Sequence, residues 1–167
     1  MVKSQFFNSN GQDRIYDAAD FALYFGQLVS NGVFYAAPDN LLVTPGSGMK
    51  VIAAAGSAFI SGYLLVNTSD LELTLATAHG AQPRIDRIVI RWSLPDRAMT
   101  IAVLNGAPVA QPTATALTRN SSIYELGIAD VLVPAAALTI PAANITDTRA
   151  NPTLCGLVCS HVSAVYI

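Results

Sequence analysis

Residues able to move protons, attack carbonyls or hold metal ions are few in this chain, and they stand apart from one another. His79 lies in AHGAQ (78–82) and His161 near the C-terminal end, and neither has a second ligand or base at a useful spacing. Ser47 lies in PGSGMK (45–50), which lacks both the spacing of a phosphate-binding loop and the flanks of a nucleophile elbow, so the stretch reads as a turn. Cys155 and Cys159 stand in CGLVC, a spacing that fits neither a zinc knuckle nor a C-x-x-C redox motif, and a free, inert pair is expected. The expectation is a non-enzymatic protein with no catalytic residue, no cofactor and no metal.

The acidic residues that stand out are Asp86, Asp130 and Asp147, because each lies within or beside an apolar, strand-like run instead of in a turn. A carboxylate taken out of water is costly unless it is paired, and Arg84, Arg87 and Arg149 are at hand. These residues are expected to form structural ion pairs, or pairs that cross a subunit boundary and fix register there. Asp147 and Arg149 alternate to the same side of the last strand, which aims them at Arg87 or Asp130 of a neighbouring strand. A glycosidase-like carboxylate pair would want a sugar-stacking cleft, whereas the single tryptophan, Trp92, falls on the expected core face.

The elements that must position these residues are mainly strands. Residues 1–15 are polar apart from Phe6-Phe7 and read as an extended anchoring arm, too polar to pack a core alone and with the two phenylalanines as its partner-binding residues. In residues 16–34, Phe21, Tyr24, Phe25, Leu28 and Val29 follow the i, i+3, i+4 spacing of a helix over about 17–31. Asp17 suits its N-cap, Asp20 its first turn, Tyr16 and Phe21 a hydrophobic staple, and Gly32 a left-handed exit. After Pro38 the period changes to alternation: 41–44, 49–54, 58–66, 71–75, 84–92 and 98–104 read as strands, with LPDR (94–97) turning the last two into a hairpin. The Pro-, Ala- and Thr-rich stretch 105–122 reads as a long loop, 123–134 as a central strand covered on both faces, and 143–148 as a short last strand. The expected fold is mainly β, an antiparallel β-sandwich or flattened barrel with one N-terminal α-helix. It occupies 16–150 as a single domain, followed by a C-terminal tail over 151–167.

The bulk composition narrows the function classes. With 167 residues, a net charge of −2 and 12% charged residues, the chain has no basic footprint for nucleic acid. The hydrophobic fraction of 52% and mean hydropathy of +0.44 are high for a small monomer, which points to burial against another chain. The most apolar stretch, 128–143, contains Asp130, Pro134 and Pro141, so no membrane insertion is expected. The N-terminus lacks the apolar run of a signal peptide, which implies synthesis in the cytoplasm.

The blocks YDAADFALYFGQLVSNGVF, GSGMKVIAAAGSAFISGYLLVNTSD, RIDRIVIRWSLPDRAMTIAVLNG and YELGIADVLVPAAALTIPAANITDTR, with LTR (117–119) and LCGLV (154–158), resemble baseplate and tail structural proteins of phages and prophages of Gram-positive bacteria. The resemblance spans about residues 5–157, and the order of the blocks carries it. It implies a virion component at the tail tip, a homo-oligomer with a trimer favoured, whose N-terminal region attaches to other baseplate or tail proteins. It carries over no catalytic residue. The chain ends about ten residues after LCGLV, so an adaptor role is expected ahead of direct host contact. Two rivals stand beside it. One is a receptor-binding module gripping a cell-surface glycan, which would need exposed aromatics beside carboxylates and has Tyr35, Tyr63 and Tyr166 to offer. The other is a small hydrolase of the cell wall, which the scattered histidines and cysteines disfavour.

Overall fold

Helix α1 spans Ala18–Leu28 and begins where its carboxylates dictate. Asp17 Oδ1 accepts from the amides of Ala19 and Asp20, and Asp20 Oδ2 accepts from the Asp17 amide, a reciprocal cap that satisfies donors otherwise orphaned in the first turn. The helix stops three residues earlier than its periodicity suggests. Val29 is already extended, and Gly32 opens a strand instead of providing a left-handed exit, because the chain here turns to meet the segment around Leu157.

The computed structural model describes residues 4–35 and 37–162, and these are mainly β, arranged as three antiparallel sheets. The strands are β1 (Gly32–Val33), β2 (Val43–Pro45), β3 (Lys50–Ala53), β4 (Gly56–Ile60), β5 (Tyr63–Asn67), β6 (Leu71–Thr74), β7 (Arg84–Ser93), β8 (Ala98–Leu104), β9 (Ile123–Val133) and β10 (Ile145–Asp147). Their orders are β1-β4-β5, β2-β3-β6 and β10-β9-β7-β8. The run 58–66, which reads as one strand, is two. Ser61 and Gly62 both have positive φ, 52° and 88°, the two-residue hairpin turn that matches strand twist. Side chains from all three sheets, among them Val51, Ile60, Ile88 and Leu126, meet in one apolar cluster.

The segment after residue 150 belongs to this fold through residue 160, which corrects the reading of a tail there. Cys155 is buried in the core, Leu157 bridges to Val33, and Gly127 N–H donates to Leu154 O. Residues 105–122 form the expected irregular loop, and the loop lies along the largest sheet: Val109 N–H donates to Pro83 O, and Thr118 and Glu125 are joined through their backbones.

The face of α1 that packs is not its aromatic stripe. Of its 11 residues only Ala22 is buried; Ala22 and Gly26, one turn apart, rest on the Ser61–Gly62 turn, where small side chains let the two backbones close in. A Cβ on Gly62 would collide with the Ala22 carbonyl, and its φ of +88° is itself unfavourable for other residues. Gly62→Ala should therefore lower stability by more than about 1 kcal/mol and loosen α1 before the sheets. Urea denaturation followed by far-ultraviolet circular dichroism checks this; an unchanged midpoint would refute the helix–turn contact.

Candidate assembly surface and its supporting ion pairs

Two arginines and two carboxylates share one face of the largest sheet. In the β7–β9 register Arg87 stands opposite Asp130 and Arg91 opposite Glu125. Asp130 and Glu125 are five residues apart, so a regular strand would send them to opposite faces. A bulge at Ile128, where Ile88 pairs with Ala129 but Val89 with Gly127, resets the alternation and puts both acids on the arginine side. The bulge is held from outside the pair: Thr148 N–H donates to Ile128 O, and its hydroxyl donates to Gly127 O.

The loop reaches Arg87, Glu125 and Asp86. Arg87 Nε and Nη2 donate to the two oxygens of Asp130 at 2.7 and 2.9 Å, while Nη1 donates to Thr115 O. Glu125, fully buried, accepts from Arg91 Nε at 2.8 Å and from the Thr118 amide at 2.7 Å. On the other face Asp86, also fully buried, accepts from Arg84 Nε and from the Gly106 amide, and the Arg84 guanidinium donates onward to Thr77 O and Ala76 O. Among the described residues no buried side-chain nitrogen or oxygen lacks a partner.

The structure brings Asp86, Arg87 and Asp130 into pairs within the chain. It does not bring Asp147 and Arg149 to them. Arg149 instead holds Asp147 through Nε and Nη2 and donates Nη1 to Pro38 O and Asn40 O; in the β9–β10 register Asp147 stands opposite Ala129 and Thr146 opposite Asp130, so Asp147 is on the other face of the sheet from Arg87 and Asp130. The hydrogen bond from Arg149 holds the Asp147 carboxyl below its usual range, against a smaller opposing effect of burial. Its contribution is therefore present above the unfolded carboxyl value and is lost as pH falls through the lowered folded value. Sequence reasoning missed Glu125 and Arg119. Glu125 was legible as an acid inside an apolar run. Arg119, which lies over the Tyr124 ring and donates to Glu125 O, Thr153 O and Leu154 O, gave no such signal.

An apolar surface lies elsewhere, on the arm, on α1 and beside β5 and β8. The Phe6 ring lies 5.2 Å from Tyr16, 5.3 Å from Phe21 and 5.1 Å from Tyr24, so the arm folds back onto its own helix; Gln5 Nε2 donates to Asp20 Oδ1, and Phe7 N–H donates to Tyr16 Oη. Phe7, Phe21, Leu23, Tyr24 and Phe25 remain exposed. Beside them a groove of about 770 Å³ runs between the start of α1, β5 and β8, with Leu64, Val66 and Leu94 exposed on its walls. Tyr63 packs on Trp92 at 5.6 Å there, which places Trp92 half-buried at a groove wall as well as against the core. Tyr35 stands exposed and away from this groove, and Tyr166 lies outside the described residues. Among the described residues no three His, Cys, Asp or Glu side chains gather in a metal-binding group.

No family model, curated protein or solved structure matches the chain.

Two measurements follow. Asp86→Ala leaves the Arg84 charge buried and should cost about 3–5 kcal/mol, while Asp147→Ala, at a carboxylate 45% exposed, should cost no more than about 1 kcal/mol. Denaturant titration of the two variants checks the order; equal losses would refute the assignment. The Cys155 thiol is pushed up to about 12 by burial, so it stays protonated near neutrality. Iodoacetamide should label the exposed Cys159 in the folded protein and reach Cys155 only after denaturation, read by mass spectrometry.

Proposed function

We propose that this chain is a structural subunit of a phage or phage-like tail baseplate, a non-catalytic assembly or adaptor piece of the host-attachment machinery. Its three sheets form a β-sandwich around the shared core, and its place is the tail tip of the virion. The observation that carries the reading is α1: an isolated helix of this length is marginal in water, and a helix with one buried residue and a surface of Phe21, Leu23, Tyr24 and Phe25 leaves apolar area that a partner would cover. The arm adds Phe6 and Phe7 to that area, and the block resemblance supplies the particle. Baseplate or tail proteins, and further copies of the chain in a trimer, are the partners.

A second reading, a module gripping a cell-surface glycan, draws on the Tyr63–Trp92 pair in the groove. It is the weaker one, because Asp17, the carboxylate at the groove, already accepts from two helix amides.

Particle assembly with substituted protein tests the first reading. Phe21→Ser with Phe25→Ser should leave the melting temperature within a few degrees, since both side chains are exposed, while incorporation into tails falls by about tenfold or more, the loss expected of central aromatic contacts. Normal incorporation would refute the assembly role of α1. In the same particles Tyr63→Ala should leave host adsorption unchanged, and a loss of adsorption with normal incorporation would favour the glycan reading.

A further inference from the structure

We infer that β8 is a self-pairing edge, through which two copies of this chain join their largest sheets. This deepens the assembly reading and rests on it for the partner, a second copy. Among the described residues the sheet order β10-β9-β7-β8 leaves one side of β8 without a strand, and none of its seven residues is fully buried. Edge strands present unpaired amides and carbonyls, and proteins usually guard them with charges, prolines, bulges or short length. AMTIAVL has no charge and no proline, its register with β7 is regular, and it is longer than the strand at the opposite end of the same sheet.

The chemistry of the strand selects its partner. In a twofold pairing residue i meets residue j of the second copy and j meets i, so a charge near the axis would lie close to the same charge of the partner; β8 has none. A twofold axis perpendicular to the sheet keeps each face on its own side, so residues of the same parity must stand opposite. Centring the axis on Ile101 uses all seven residues: Ala98 meets Leu104, Met99 meets Val103, and Thr100 meets Ala102. Met99, Ile101 and Val103 already pack against the core, so this register continues the apolar layer from one subunit into the next. The polar arm, with Asp13 and Arg14, does not match such an edge.

Thr100 provides the test. It is exposed and stands opposite Arg91 within the chain, so Thr100→Glu is compatible with the subunit's own fold. Across the axis the two substituted residues become diagonal neighbours, about 7–8 Å apart. Sedimentation equilibrium of the full chain should give a dimer or, where the proposed trimer also forms, a hexamer of paired copies. Thr100→Glu alone and Thr100→Lys alone should each self-associate about tenfold more weakly, and an equimolar mixture should regain association. An assembly whose mass neither variant changes would overturn the β8 contact and leave assembly through α1 standing. A monomer at every concentration would also overturn it, with the particle role then judged by tail incorporation. If the variants do not fold, hydrogen exchange on the unsubstituted protein decides. Outward amides of β8 protected as well as those of β9 support pairing, and amides exchanging as fast as those of a bare edge exclude it.

Discussion

A carboxylate drawn out of water needs a full set of donors, and β7 and β9 together carry three such carboxylates. Asp86 and Glu125 are fully buried and Asp130 is partly so, each matched to an arginine of β7. Pairs of this kind add little net stability over apolar packing, yet removing one partner is costly. Their consequence here is positional. Arg87 and Glu125 complete their shells with Thr115 O and the Thr118 amide, and Asp86 with the Gly106 amide, so the long loop is tied to the sheet at its start and its end. A loop of 18 residues between β8 and β9 without helix or strand would otherwise have little to fix it.

The bulge between two of these pairs also holds the C-terminal segment. At the bulge, Thr148 donates to Ile128 O and Gly127 O, and the Gly127 amide donates to Leu154 O. Arg119 then clamps Thr153 and Leu154 from the loop side. Cys155 and Leu157 are thereby brought into the core, and the contact with β1 stops α1 and directs it across the Ser61–Gly62 turn. Through these contacts the bulge and the C-terminal segment bear on the placement of a helix with one buried residue.

Polar satisfaction inside and apolar excess outside are two sides of one economy. The interior holds its ions in hydrogen-bonded pairs, while Phe21, Tyr24 and Phe25 face solvent on α1, Leu64 and Val66 face it at the groove, and β8 leaves a plain edge among the described residues. That distribution suits a subunit whose remaining apolar surface is covered by other chains.

Much of this architecture was legible before the fold was in view. Local signals act over a few residues: the Asp17–Asp20 cap, the alternation in β7 and β9 and the turn residues at 94–97 each specify a backbone state without help from distant parts. The sequence also marked Asp86 and Asp130 as acids that must be paired, because burial cost depends on residue type. Which arginine met which acid was not legible. Pairing depends on register, and one extra residue in a strand reverses the face of everything beyond it, so the Ile128 bulge alone decided that Glu125 joins Arg91. The fate of Asp147 and Arg149, the packing of 151–160 and the outward turn of the α1 aromatics were likewise decided by tertiary structure. Each depends on a contact between residues more than 30 positions apart, and local periodicity carries no record of such contacts.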